Sequence, residues 1–274
     1  MITTLDNPAA ASVQWRDLLD ELNRWGTEGR MATLWWRDDD AVTPCRQLDR
    51  LARVAGEVPV ALAVIPAAAE PALAGWLEQG APPAMRVLQH GWRHTDHEPG
   101  GKKSEFPDTR PRDQVARDLS AGRERLAAMF GSRALAVLVP PWNRVDRMFL
   151  PLLAEAGIHA ISRIKPRKAA CPMPDVLEAN VHVDLVGWRG DRGFVGETLA
   201  LGGLVTHLRA RRQGDADPDE PTGILTHHLV QDRATEAFLG ELIAVTRGHR
   251  AVQWLDAEAV FAPGAAIRPA GGQA

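Results

Sequence analysis

The sequence predicts a single α/β barrel built on a parallel sheet. Short apolar runs alternate along the chain with amphipathic segments of helical length. This alternation is typical of βα units, whose strands run parallel. Seven or eight such units in 274 residues fit one closed barrel better than two domains. An open doubly wound sheet is the alternative, but no GxGxxG motif follows the first run to support it.

Eight apolar or β-branched runs are the predicted strands. In chain order they are Thr33–Arg37, Val60–Ile65, Arg86–Gln89, Ala134–Val139, His159–Ile164, Val181–Val186, Gly223–Thr226 and Ala251–Leu255. Helical spacing of apolar residues predicts five helices, namely Pro44–Gly56, Arg112–Phe130, Arg147–Ala156, Glu197–Arg212 and Thr235–Arg247. We expect exposed loops at Gly100–Lys103 and Gly214–Pro221. We also expect one domain over residues 1–274, with segments 1–15 and 263–274 at its periphery.

The composition is that of a globular protein without a nucleic-acid partner. Apolar residues make up 45% of the chain and charged residues 24%. The net charge of −3 lacks the basic excess that nucleic-acid binding usually requires. Tryptophan occurs 9 times and tyrosine not at all. This bias reflects either composition alone or indoles that line a sugar-sized cleft.

Two features predict a cytoplasmic protein. Cys45 and Cys171 form no CxxC motif and are too few for a disulfide framework, which favours a reducing compartment. The segment Met1–Val13 lacks the features of a signal peptide, and no apolar run approaches the roughly 18 residues of a membrane span. We therefore expect no membrane partner. The oligomeric state does not follow from these features.

Polar residues follow five of the predicted strands, at the end where active sites of parallel barrels are built. The barrel therefore predicts that these residues share one rim. They are Arg37–Asp40, His90–His94, Pro140–Asn143, Asp184 with Trp188, and His227–His228.

The acidic triplet and the first histidines predict a metal site. The carboxylates of Asp38–Asp40 repel one another, and a cation would neutralise them; solvated acids at a helix N-cap are the alternative. His90 and His94 are four residues apart, a spacing that lets two imidazoles hold one ion. His94 and His97 form a competing pair, and such histidines also occur on surfaces and in cores. A carboxylate with two imidazoles is typical of catalytic zinc, although cobalt, nickel or iron also bind such ligands.

His227 is a candidate acid catalyst because it follows an apolar run at the same rim. The unperturbed pKa of histidine, near 6.5, suits proton transfer at neutral pH. Asp39 is the candidate general base. The structural alternatives are that His227 or His228 caps a strand end, and that Asp39 accepts hydrogen bonds from Arg37 or a backbone amide.

In this order, the motifs resemble those of the polysaccharide deacetylases, the esterases of the NodB-homology type. The family's first motif is a strand that ends in an aspartate pair, and Trp36–Ala41 is similar to it. The resemblance implies Asp39 as base and Asp40 as metal ligand, although the triplet leaves Asp38/Asp39 open. The second motif implies His90 and His94 as the remaining ligands.

The later motifs match less completely. The third motif keeps Pro141 and Trp142 but has Val139 where the family has arginine, so Arg37, Arg93 or Arg144 would have to supply the charge. The fourth is similar to Asp184–Trp188, and the fifth to Leu225–His227 with His227 as acid. The resemblance implies a distorted (β/α)7-type barrel. It also implies substrate contacts from Trp142, Asn143, Asp184, Trp188 and Arg37.

The function that the resemblance implies is metal-dependent removal of an acyl group, usually acetyl, from an amino sugar or glycan precursor. Two alternatives stay open. The same site could hydrolyse the C–N bond of a small non-sugar amide, or the barrel could bind a glycan without catalysis. The substrate, the acyl group and the metal do not follow from the sequence.

Overall fold

The computed structural model describes residues 13–262, in which nine strands form one curled, parallel sheet. In chain order the strands are β1 (Ala32–Ala41), β2 (Ala61–Val64), β3 (Arg86–His90), β4 (Ala134–Val139), β5 (Ala160–Ile161), β6 (Leu177–Glu178), β7 (Val183–Asp184), β8 (Thr222–Thr226) and β9 (Val252–Trp254). They lie side by side in the order β6-β5-β4-β3-β2-β1-β8-β7, and β9 also pairs with β1. The predicted parallel α/β barrel is confirmed.

The helices cover the outside of this sheet. They are α1 (Trp15–Thr27), α2 (Arg46–Ala55), α3 (Pro71–Gln79), α4 (Arg112–Phe130), α5 (Leu150–Glu155), α6 (Glu197–Gln213), α7 (Arg233–Arg247) and α8 (Ala257–Val260). Within residues 13–262, no helix is both long and apolar enough to cross a membrane.

The two sides of the curled sheet meet at a single backbone bridge. Ile164, beyond the end of β5, pairs in parallel with Val181, just before β7. Val181 donates its N–H to the carbonyl of Arg163 at 3.0 Å, and Lys165 donates to the carbonyl of Val181 at 2.9 Å. This short contact connects seven strands into a distorted barrel.

Alternation of side chains along β1 divides the core in two. Leu34 and Trp36 pack in the outer core between sheet and helices, whereas Trp35 packs in the barrel interior. The same alternation places Arg37 and Asp39 on the interior side and Asp38 on the outer side. Neighbouring residues of the acidic triplet therefore face different surroundings.

Each predicted strand overlaps an observed strand, but the sequence analysis missed β6 and three helices. β6 is only two residues long, too short for a periodic signal. The sequence analysis also missed α1, α3 and α8. The predicted peripheral segments lie almost entirely outside the described residues, but α1 begins at Trp15, whose ring packs 5.2 Å from Phe238.

The structure corrects one predicted helix, Arg147–Ala156, and one of the two predicted exposed loops, Gly214–Pro221. Arg147–Ala156 is a 3-10 turn followed by α5, because Pro151 lies at the start of the helix, where its missing N–H costs nothing. Gly100–Lys103 is exposed as expected. Gly214–Pro221 is exposed only in part, because Glu220 is fully buried.

We predict that Gly223→Ala destabilises the barrel. A Cβ there would lie 2.4 Å from the indole nitrogen of Trp35 and 2.6 Å from the carbonyl oxygen of Asn180. Since Trp35 donates to that same carbonyl, neither group can move freely. In urea, the free energy of unfolding of the variant should be lower than that of the wild type by about 1–3 kcal/mol or more.

Gly240→Ala in α7 is the matched control. Nothing lies within 4 Å of a Cβ at that position, so alanine should stabilise the helix by about 0.5–1 kcal/mol. Equal stability of the Gly223→Ala variant and the wild type would contradict the packing described for the interior side of β8.

Candidate functional site

Asp40, His90 and His94 come together at the carboxyl ends of β1 and β3. The Nε2 atoms of His90 and His94 lie 3.2 and 3.3 Å from Oδ1 of Asp40. The two rings are tilted by 54° with centroids 5.0 Å apart, so both ring edges point to a common place. The three ligand atoms lie within 4.8 Å of one another.

The hydrogen bonds around these residues fit a divalent cation. His90 donates from Nδ1 to the carbonyl of Val139 at 2.9 Å, which leaves the Nε2 lone pair directed at Asp40. Oδ1 of Asp40 is buried and has no hydrogen-bond partner. One carboxylate and two imidazoles form the donor set of an open zinc-type site. An orphaned carboxylate oxygen between two imidazole nitrogens therefore has the chemistry that a metal requires.

The charges of this group also suit metal binding. Burial alone would raise the pKa of Asp40, but the close imidazole of His90 outweighs this effect and holds the pKa well below its usual range. Burial and the neighbouring His90 lower the pKa of His94, which favours the neutral imidazole. Burial opposes the charged form of His90, yet Asp39 and Asp40 raise its pKa. A cation would therefore compete with a proton at His90.

The backbone is strained at the residues of the site. Asp40, His94, Trp142 and Asn143 all have positive φ, with angles of 74°, 56°, 54° and 59°. Residues with side chains rarely adopt this conformation, and where they do, they cluster at functional sites. The strain indicates that the surrounding structure fixes these side chains in place.

Glu105 holds the loop between His90 and His94, and the sequence analysis missed it. Its carboxylate is fully buried and accepts hydrogen bonds from the backbone N–H groups of Trp92 at 3.1 Å and Arg93 at 2.7 Å. Burial raises the pKa of Glu105 despite these two donors. A single glutamate in a polar loop carries no sequence pattern that would have revealed this role.

The three aspartates of the triplet have three different environments. Asp38 is fully buried and is bound by Thr226 and His228. Asp39 accepts two hydrogen bonds from Arg37, at 2.8 and 3.0 Å. Only Asp40 faces the histidine pair, so the geometry favours the Asp39/Asp40 assignment over Asp38/Asp39.

Arg37 requires a correction. Predicted to contact substrate, it is 0% exposed. Its guanidinium binds Asp39, the hydroxyl of Ser162 at 2.8 Å and the side-chain carbonyl of Asn143 at 2.8 Å. Among the three arginines considered for the third-motif charge, Arg37 is therefore the one whose guanidinium contacts Asp39.

The other two candidate arginines point elsewhere. Arg144 donates to the carbonyl of Lys103 at 2.8 Å, and the guanidinium of Arg93 lies over the ring of Trp92. Neither arginine has a hydrogen bond to Asp39 among the described contacts.

His227 lies beside Asp39. Its Nε2 is 4.0 Å from Oδ2 of Asp39, and its Nδ1 is buried without a partner. The indole of Trp188 contacts the His227 ring edge-on at 4.8 Å. Asp184 accepts a hydrogen bond from the Trp188 indole at 2.7 Å, so it orients that ring.

Trp142 and Trp188 provide aromatic surface beside the histidines. Trp142 lies 4.4 Å from His94, and Trp188 is 46% exposed. A cavity of about 420 Å³ has Asn143, Arg144 and Arg163 among its lining residues. Asn143, which follows Trp142 in sequence, thus also lines a polar cavity.

His97, by contrast, does not join the metal group. It is exposed, and the described residues that gather ligand atoms with His94 are Asp40 and His90. The competing pair of His94 and His97 is therefore not supported by the geometry.

A second group of two histidines and an acid lies at the opposite end of the barrel. His182, His207 and Glu220 also bring ligand atoms within 4.8 Å. However, the two rings are stacked 3.4 Å apart at 18°, so one ion cannot lie in both ring planes. Nδ1 of His182 accepts the N–H of Gly223, which assigns the proton of the neutral ring to Nε2. This group does not fit a metal ion.

No protein-family model matches the chain, and no curated protein matches it. Several solved structures do match the chain. A protein assigned as a polysaccharide deacetylase from Mycobacterium smegmatis has a TM-score of 0.56 at 17% identity, with 89% of this chain and 90% of that chain covered. A CE4 family pseudoenzyme from Bacillus anthracis has a TM-score of 0.50 at 11% identity, and the match covers 81% of this chain but 63% of that one. The likeness shows that the chain has the polysaccharide deacetylase fold, as its motifs predicted.

We predict that His207→Gln changes the pH dependence of stability. Burial lowers the pKa of His182 to about 3 and that of His207 to about 2. Below about pH 6.5, His207 binds a proton in the unfolded state but not in the folded state, so the free energy of unfolding of the wild type decreases as the pH is lowered. The free energy of unfolding of the variant, relative to that of the wild type, should therefore increase by up to about 1.4 kcal/mol for each pH unit below this value.

Urea unfolding at about pH 7.5 and about pH 5 checks this prediction. Glu220, whose pKa burial raises to about 7, titrates in both proteins, so the difference between them isolates His207. His159→Gln, at an exposed position, is the control. A stability difference that stays constant over this range would show that folded His207 is protonated normally.

Proposed function

We propose that this protein is a metal-dependent hydrolase that removes an N-acetyl group from an amino sugar or glycan precursor. One observation carries the proposal: the buried, unpartnered Oδ1 of Asp40 lies between the Nε2 atoms of His90 and His94. Asp39 and His227 lie beside this group, where a base and an acid are needed. The shared fold supports the same interpretation, but because one matched structure is a pseudoenzyme, turnover has to be measured.

Asp40, His90 and His94 would hold the metal, with zinc as our assignment. When bound, such a cation polarises an amide carbonyl and lowers the pKa of water. The carbonyl of Val139 contributes by fixing the His90 tautomer. The strained backbone at Asp40 and His94 holds both side chains in a fixed direction.

Asp39 acts as the general base in this proposal. Arg37 grips both carboxylate oxygens and fixes their orientation, and Ser162 and Asn143 hold Arg37 in turn. Each oxygen keeps a lone pair that can accept the proton of the attacking water. The attack adds the water oxygen to the carbonyl carbon, and a backbone N–H at Trp142 would donate to the developing oxyanion.

His227 acts as the general acid. It gives a proton to the nitrogen as the C–N bond breaks, and acetate and a free amine result. Trp188 packs against the His227 ring and limits its rotation, and Asp184 fixes Trp188. The ring faces of Trp142 and Trp188 would pack against the sugar, while Asn143 and the adjoining cavity would receive its polar groups.

A cytoplasmic location belongs to the same proposal. Cys45 and Cys171 are free thiols, which are typical of a reducing compartment. The substrate would then be a glycan precursor or small amino sugar rather than an extracellular polymer. Acetate release from N-acetylated sugars, compared with release from small non-sugar amides, tests the substrate class.

We predict that Asp40→Ala and His94→Ala abolish metal binding while the fold is retained. Each change removes one of three ligands, and Asp40 and His94 are partly exposed, so packing losses are small. Elemental analysis of the purified proteins measures the loss. His97→Ala is the matched control and should bind metal normally. Full metal occupancy in His94→Ala would refute the ligand assignment.

We predict that Asp39→Asn keeps the metal and loses activity by a factor of about 10² or more. Asparagine preserves the shape of the side chain but cannot take a proton from water. Acetate release, together with metal content, separates this effect from loss of the metal. A variant that turns over at the wild-type rate would remove Asp39 from the mechanism.

A further inference from the structure

Directly behind the site, four buried side chains connect β1 to β8. Thr226 donates its hydroxyl to Oδ2 of Asp38 at 2.6 Å, and His228 donates from Nδ1 to Oδ1 at 2.5 Å. Trp36 donates its indole N–H to the Thr226 hydroxyl at 2.8 Å. Each of these side chains is at most 1% exposed. Trp36, Asp38, Thr226 and His228 are called the rear cluster below.

We propose that the rear cluster is a positioning device that fixes Asp39 and Asp40 on β1 relative to His227, which directly follows β8. This inference rests on the proposed function, because it concerns the spacing between the base and metal ligand on one strand and the acid on the other. None of the four side chains needs to contact substrate for this role.

The backbone ladder between β1 and β8 ends just before the catalytic residues. Asp38 and Thr226 are the last paired residues of the two strands. Beyond Asp38, the pairing of β1 with its other neighbour, β2, also shifts register before Ala41. After Thr226, a turn closes in which Val230 donates its N–H to the carbonyl of His227. Where main-chain pairing stops, the hydrogen bonds that Asp38 accepts from Thr226 and His228 therefore connect the two segments.

The direction of every hydrogen bond in the rear cluster is determined. An indole only donates and a carboxylate only accepts, so the hydroxyl of Thr226 must accept from Trp36 and donate to Asp38. Buried polar groups paired in this way favour one geometry, since breaking any of the three hydrogen bonds leaves a buried donor or acceptor without its partner. The rear cluster can therefore specify the spacing of the two strand ends.

The rear cluster faces away from the reacting atoms. Trp36 and Asp38 alternate with Arg37 and Asp39, so they lie on the helix side of the sheet. Its members consequently act through the strands that carry Asp39, Asp40 and His227. This separation distinguishes a positioning role from catalysis.

Thr226→Val tests the proposal, with Thr222→Val as a matched control on the same face of β8. Both threonines are buried, and each hydroxyl has two partners: Thr222 contacts His207 at 2.9 Å and Arg211 at 3.1 Å, at the far end of the barrel. Valine keeps the shape and removes the hydroxyl in both cases. The two variants should therefore lose similar thermal stability.

Zinc affinity and turnover should separate the two variants. We expect Thr226→Val to weaken Zn²⁺ binding about 10-fold and to lower kcat by a similar factor, because groups that orient metal ligands typically have effects of this size. KM for an N-acetylated sugar should stay within about twofold, since substrate contacts are intact. Thr226→Ser, which keeps the hydroxyl, should restore both values, and Thr222→Val should leave both near wild type.

The measurements separate failure of this inference from failure of the proposed function. Wild-type protein that binds Zn²⁺ but releases no acetate would contradict the function, and the Zn²⁺ affinities would still decide the positioning role. Equal Zn²⁺ affinity in Thr226→Val and Thr222→Val would overturn the inference, as would absence of Zn²⁺ binding by the wild type. If Thr226→Val does not fold, Asp38→Asn can be compared with Thr222→Val instead. We expect its Zn²⁺ affinity to be about 10-fold lower than that of the wild type.

Discussion

Three consecutive carboxylates at one strand end are the constraint on which the rest of the site depends. Like charges this close cannot all be buried unless each one has its own partner. Alternation turns Asp38 outward and Asp39 inward, and a positive φ turns Asp40 aside. Asp38 then meets His228, Asp39 meets Arg37, and Asp40 meets the histidine pair. Mutual repulsion thus requires separate surroundings for the three carboxylates, and these surroundings suit the proposed roles of support, base and metal ligand.

The source of the arginine charge follows from the same alternation. Arg37 and Asp39 are two residues apart on one strand, so their side chains share the interior face and reach each other without a loop. Val139, in the position where the third motif would place arginine, packs instead in the barrel interior. The charged partner of the base therefore comes from the strand of the base itself. Asn143 accepts from Arg37 and connects this pair to the turn after β4.

Sequence reasoning located the site but could not define every role in it. Parallel strands bring their carboxyl ends to one rim, so residues at those ends could be placed together from spacing alone. The burial of Arg37 could not be foreseen, because it depends on Ser162, 125 residues away in sequence. Glu105 was missed because its partners are backbone N–H groups, which leave no motif in the sequence. β6, with two residues, carries no period from which it could be predicted.

Backbone hydrogen bonds distinguish the proposed metal site from a second group of the same composition. His90 and His182 each lie beside another histidine and an acid. The far nitrogen of His90 donates its N–H to the carbonyl of Val139, which keeps the proton on that nitrogen and leaves the near nitrogen free for a cation. The far nitrogen of His182 faces the N–H of Gly223, which forces the proton onto the near nitrogen. Ligand identity alone does not distinguish the two groups. The backbone group behind each ring does.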